Sequence, residues 1–97
     1  MRWIAFFKDT PDMMGNRKER ENLHLEYLKK HTSEILIAGG CREATGEAFV
    51  GGLWVLEVPT KERAITLIEN DPYYFPSYRT YQLLVWGKAL ADRFVVL

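Results

Sequence analysis

The sequence predicts an α+β domain with a four-stranded antiparallel sheet and both helices on one of its faces. Three observations predict it. The chain has 97 residues, a length for one compact domain, taken here as 1–97. Four stretches carry short β-favouring runs, and two longer stretches carry helical spacing. Their order is β-α-β-β-α-β, and two βαβ units joined by a hairpin close into the ferredoxin-like arrangement.

Residues 2–8 are aromatic and β-favouring and read as the first strand. Residues 9–15 hold Pro11 and Gly15 and read as a loop with one helical turn. Asn16 is the expected N-cap of the first helix, with Glu19 as capping-box partner, and the helix is expected to run to about Ser33. The second strand is expected over 34–40, a polar connection over 42–50, and the third strand over 52–58. Thr60 caps a second helix that ends near Asn70 or Asp71, because Pro72 removes a donor and restricts the residue before it. An aromatic connection over 73–78 leads to a fourth strand over 80–87. Residues 94–97 suggest a short terminal strand within an 89–97 tail.

Lys and Arg equal Asp and Glu at 13 each, so there is no broad electrostatic footprint for nucleic acid. The apolar runs are too short for a membrane span. A single cysteine, Cys41, excludes an internal disulfide and fits a reducing cytoplasm.

Alternate residues of a strand point to opposite faces. Leu53 and Val55 oppose Trp54, Leu56 and Val58; Trp3, Ala5 and Phe7 oppose Ile4 and Phe6; Tyr81, Leu83 and Val85 oppose Leu84 and Trp86. Both faces are therefore apolar, and two helices cover only one. A second copy packed through the helix-free face is the expected remedy, since monomers seldom expose so large an apolar patch.

On a helical wheel, Leu23, Tyr27 and Leu28 bracket an apolar arc that contains His24 and His31, while Glu19, Asn22, Glu26 and Lys29 lie opposite. A buried imidazole needs a partner. In the second helix, Ala64, Leu67 and Ile68 share a face with Asp71. Antiparallel helices bring Asp71 near His24, and a carboxylate at a helix C-terminus opposes the dipole unless a donor meets it. Asp71 would then orient His24 for general acid–base work near neutral pH. Core packing for the histidine and a turn for the Asp-Pro step are the simpler explanations of the same residues.

The chain resembles the YCII-related (YciI-like) family over nearly its whole length. The resemblance rests on His24-Leu25, on 36–40 (Leu-Ile-Ala-Gly-Gly), on 51–56 (Gly-Gly-Leu-Trp-Val-Leu) and on 69–73 (Glu-Asn-Asp-Pro-Tyr). It implies a dimeric α+β barrel, His24 and Asp71 as the catalytic pair, and a pocket near the dimer interface. It also implies lyase-like or dehydrochlorinase-like chemistry on a small cyclic molecule. After Asp71-Pro72-Tyr73 the family continues with small residues and a Gly. Here 74–78 (Tyr-Phe-Pro-Ser-Tyr) is bulkier and stiffer, which bears on the pocket's shape.

Tyr73, Tyr78, Arg79, Trp54 and Gly40 are the candidate substrate-binding residues. The aromatics offer a wall for a ring, and Arg79 a partner for an anion. Arg42 is a second candidate for an anion, and the mixed-sign run 17–21 reads as a wet helix face. The glycine pairs 39–40 and 51–52 lack the context of a phosphate loop and fit close backbone approach or bulges. The two histidines are seven residues apart with no flanking carboxylate, so no metal site is expected. Nothing in the sequence requires a cofactor. The expected function is a small acid–base enzyme, lyase-, dehydrochlorinase- or isomerase-like, acting on a small-molecule ligand. The rival classes are a non-catalytic binding or assembly module and a cofactor-free monooxygenase.

Overall fold

The computed structural model describes residues 1–96. Its elements are β1 (Arg2–Asp9), α1 (Met13–Lys30), β2 (Ile35–Cys41), β3 (Gly51–Glu57), α2 (Lys61–Glu69) and β4 (Arg79–Val85). The strands form one antiparallel sheet in the order β2-β3-β1-β4, as the element order predicts. The central strands β1 and β3 pair Ala5 with Trp54 and Trp3 with Leu56. Directly opposed residues share a face, so Trp3, Ala5, Phe7, Trp54 and Leu56 turn together toward the helices. They are buried with Ala64, Leu67 and Ile68 of α2.

Contacts between the helices set their direction. The Tyr27 hydroxyl donates to the Leu67 carbonyl at 2.7 Å, and Arg63 donates twice to Glu34, at 2.8 and 2.7 Å. Partners of 27 and 34 thus fall at 67 and 63, so α2 runs antiparallel to the path of α1. This brings the end of α2 beside the middle of α1.

Helix α2 follows the expected boundaries: the Thr60 hydroxyl accepts from the Arg63 N–H at 3.1 Å, and Asn70 ends the helix before Pro72. Helix α1 does not. It starts at Met13 after a turn in which the Met13 N–H donates to the Thr10 carbonyl, and Asp12 precedes it without a side-chain cap. Asn16 lies inside the helix, buried, with its amide against the Met13 sulfur. The helix stops at Lys30, short of Ser33, and His31 closes it by donating from its N–H to the Leu28 carbonyl. Leu23, placed by the wheel on the apolar arc, is exposed. The inward stripe is rotated toward Arg17, Arg20, His24, Tyr27 and Leu28, because the polar side chains facing inward find partners there.

The fourth strand ends at Val85, so Trp86 and Gly87 lie beyond it. Phe94 to Val96 form no strand, and Leu97 lies outside the described residues. The helix-free face carries Phe6, opposed to Leu53 on one side and Gln82 on the other, and Ile4, opposed to Val55 and Leu84. Phe6 is 52% exposed, and Ile37, Leu53, Leu84 and Trp86 are exposed beside it. Among the described residues no helix is long and apolar enough to cross a membrane.

Candidate functional site

Between α1 and the β2–β3 edge of the sheet lies a cleft of about 600 Å³, lined by residues that include Arg17, His24, Leu25, Gly40, Phe49 and Tyr73. His24 sits on its wall, held from behind. Its Nδ1 lies 2.6 Å from Asp71 Oδ1, and the two side chains are 12% and 2% exposed. With Asp71 ionised, Nδ1–H must be the donor. Nε2 makes no hydrogen bond among the described residues.

Asp71 is positioned by the end of α2. Its carboxylate also accepts from the Tyr73 N–H at 3.2 Å, an Asx-type turn forced by the Asp-Pro step. That turn swings Tyr73 beneath the imidazole. The rings stack with centroids 3.8 Å apart and planes 8° from parallel. The Tyr73 hydroxyl donates to the Arg17 carbonyl at 3.1 Å, and burial pushes its ionisation upward, so it stays a phenol and a donor. Burial, with the Asp71 charge second, likewise raises Tyr27.

At the inner end of the cleft, a chamber of about 30 Å³ is walled by Arg17, His24, Gly40, Tyr73, Arg79 and Trp54, among others. Arg79 grips Asp9 with two parallel bonds, Nε at 2.7 Å and Nη2 at 3.0 Å. Arg17 donates from Nη2 to the same carboxylate at 3.1 Å and to the Gly51 carbonyl at 2.8 Å. Its guanidinium lies over the Phe49 ring at 4.6 Å.

The structure therefore brings His24, Asp71, Tyr73, Arg79, Trp54 and Gly40 to one region. Trp54 meets it only from the core, edge-on to Phe7 at 5.2 Å. Gly40 leaves room for Phe49: a Cβ there would stand 2.5 Å from the Phe49 ring. Tyr78 does not join them. The turn in which the Tyr78 and Arg79 N–H groups both donate to the Phe75 carbonyl sends its side chain outward, stacked on Phe75 beside the start of α1. Arg42 is exposed, over the outer face of Phe49 at 4.8 Å.

Arg17, Asp9 and Phe49 are residues that sequence reasoning missed. The 17–21 charge run suggested solvent, yet Arg17 lies seven residues before His24, on the same helical stripe. That spacing was the available signal. Asp9 gave none, since its partner Arg79 is 70 residues away.

The family model for the YCII-related domain matches residues 1–87. The chain belongs to the YCII-related family. No curated protein matches this YCII-related chain. Among solved structures it is similar to 5-chloro-2-hydroxyhydroquinone dehydrochlorinase (TftG) from Burkholderia phenoliruptrix AC1100, in complex with 2,5-dihydroxybenzoquinone. The TM-score is 0.78 at 22% identity, covering 90% of this chain and 94% of that one. At that identity the likeness establishes a shared fold.

Proposed function

We propose that this YCII-related protein is a small acid–base enzyme acting on a small cyclic molecule, with His24 as the proton carrier and Asp71 as its orienter. The observation that carries the reading is the 2.6 Å contact between His24 Nδ1 and Asp71 Oδ1, which leaves Nε2 free on the cleft wall. Nε2 takes a proton from a ring carbon or hydroxyl. The electron pair stays on the substrate as an enolate or phenolate, and Asp71 stabilises the imidazolium that forms. The same nitrogen then returns the proton to another atom or to a departing group. A substrate that loses chloride as its electron pair collapses would undergo dehydrochlorination, the activity named for TftG. One that is reprotonated elsewhere would isomerise.

Tyr73 and Gly40 wall the cleft for a planar ring, with Trp54 and Arg79 at its inner end. No step calls on a cofactor. A second copy packed on the helix-free face completes the assembly in this reading, supported by exposed Phe6, Ile37, Leu53 and Leu84 on that face.

The test is exchange of ring-bound hydrogen in deuterated water, followed by proton NMR with 2,5-dihydroxybenzoquinone and a panel of small cyclic enols. The wild-type protein is expected to accelerate exchange on the order of 10²–10⁴-fold over His24→Gln. Equal exchange by the two proteins across the panel contradicts the reading.

A further inference from the structure

We infer that the inner chamber is an oxyanion subsite, in which Arg17 and Arg79 hold a single negatively charged oxygen of the substrate, an enolate or phenolate oxygen, beside His24. The inference rests on the acid–base reading for what the subsite serves, and on separate observations for its existence.

The first observation is charge. Arg17 and Arg79 share one carboxylate, that of Asp9, whose side chain is 1% exposed. Asp71 is directed at the His24 ring and the Tyr73 N–H, and Glu21, exposed on the outer cleft, makes no ion pair with either arginine among the described residues. Two deeply placed guanidinium charges therefore share a single hydrogen-bonded carboxylate, which leaves one positive charge in excess at this point. Such a charge is costly unless an anion joins it.

The second is unfilled donors. Arg17 Nε is buried without an acceptor among the described residues, and its Nη1, which is not closed off in that way, makes no hydrogen bond there. Arg79 spends Nε and Nη2 on Asp9, and its Nη1 meets no acceptor among the described residues. A guanidinium has no accepting atom, so whatever completes this arrangement must bring lone pairs.

The third is size and wall chemistry. The chamber measures about 30 Å³, which admits a small group such as a substituent oxygen but not the ring that carries it. The remaining walls are the faces and edges of Phe7, Trp54 and Tyr73 and the glycines. A Cβ on Gly52 would stand 3.9 Å from Arg79 Nη2 and 3.0 Å from the Gly39 carbonyl, narrowing this space. In so poorly solvated a place a charge-assisted hydrogen bond is strong. The chamber shares Arg17, His24, Gly40 and Tyr73 with the outer cleft, so a ring in the cleft can send one substituent oxygen inward.

The subsite would stabilise the charge that proton removal by His24 creates, because its donors are already in place when that charge appears. It makes Arg17 and Arg79 determinants of specificity for rings bearing an ionisable or enolisable oxygen.

The test uses 4-nitrophenol, whose phenolate band reports ionisation of the bound ligand. Mixed with the 97-residue chain, bound 4-nitrophenol should ionise at least one pH unit below the free compound, a tenfold preference for the anion. Arg17→Met should erase the preference, and Arg17→Lys should keep part of it. Benzoate should bind more weakly than the phenolate. The wild-type result needs no variant to fold. Ionisation at or above the free value, no binding, tighter binding of benzoate, or an unchanged shift in Arg17→Met each overturns the subsite. A shift without catalysed hydrogen exchange would retain the subsite and remove the acid–base enzyme; exchange without a shift would do the reverse.

Discussion

The Tyr73 ring lies flat against the His24 imidazole, 3.8 Å between centroids and 8° from parallel. Tyr73 is at the same time bonded to Asp71 through its N–H and to the Arg17 carbonyl through its hydroxyl. One residue thus packs flat on the proposed base and ties α1 to the turn that follows α2.

Tyr73→Phe should retain the stack and lose one hydrogen bond, costing about 0.5–1.5 kcal/mol of stability with little change in exchange rate. Tyr73→Leu should let the imidazole tilt and slow exchange on the order of tenfold to hundredfold, since small misplacements of a reacting group are expensive. Denaturant unfolding and the deuterium-exchange assay separate the two effects.

The open sheet face gives a prediction about assembly. Phe6 and Leu84 lie on it, both about half exposed. A carboxylate at either would be buried unpaired against a second copy. Phe6→Glu and Leu84→Glu should sediment as monomers, and the wild-type chain as a dimer. A monomeric wild-type chain contradicts the proposed packing.

Acid sensitivity should trace in part to Glu34. Hydrogen bonding from Arg63 holds its carboxyl below the usual carboxylate range. A carboxylate lowered in the folded state contributes stability above its unfolded value and loses it as the pH falls through the folded value. Glu34→Gln should therefore be less stable than wild type at neutral pH. The gap should close below the ordinary carboxylate range. Both groups are partly exposed, so the difference should be small and weakened by salt. Thermal melts across pH measure it.

The glycines should differ sharply. A Cβ on Gly51 would run into the Phe7 carbonyl oxygen of the paired strand, while one on Gly39 would meet nothing within 4 Å. Gly51→Ala should cost about 3 kcal/mol or more, and Gly39→Ala roughly 0.5 kcal/mol or less. Denaturation midpoints decide it.

The strand order was legible because two βαβ units joined by a hairpin lead to one arrangement, and the shared faces because successive strand residues point opposite ways. The nearness of His24 and Asp71 was legible because both follow from helical phase and antiparallel helices. The start of α1 was not, since Asp12 caps nothing and the helix begins from backbone turns at Thr10 and Pro11. The exposure of Leu23 was not, because Arg17 and His24 occupy the inward stripe and displace apolar residues from it. Tyr78 was misplaced by a turn closing on the Phe75 carbonyl, a feature with no spacing signature. The arginine pair on Asp9 joins residues from β1, α1 and β4, and no local pattern foretells a contact of that kind.

The most direct test of the central claim, that Asp71 holds the imidazole with Nε2 bare toward the cleft, is nitrogen-15 NMR of the His24 ring. Neutral His24 should carry its proton on Nδ1, with a downfield resonance that vanishes in Asp71→Asn. A ring protonated on Nε2, or one unaffected by Asp71→Asn, would contradict it.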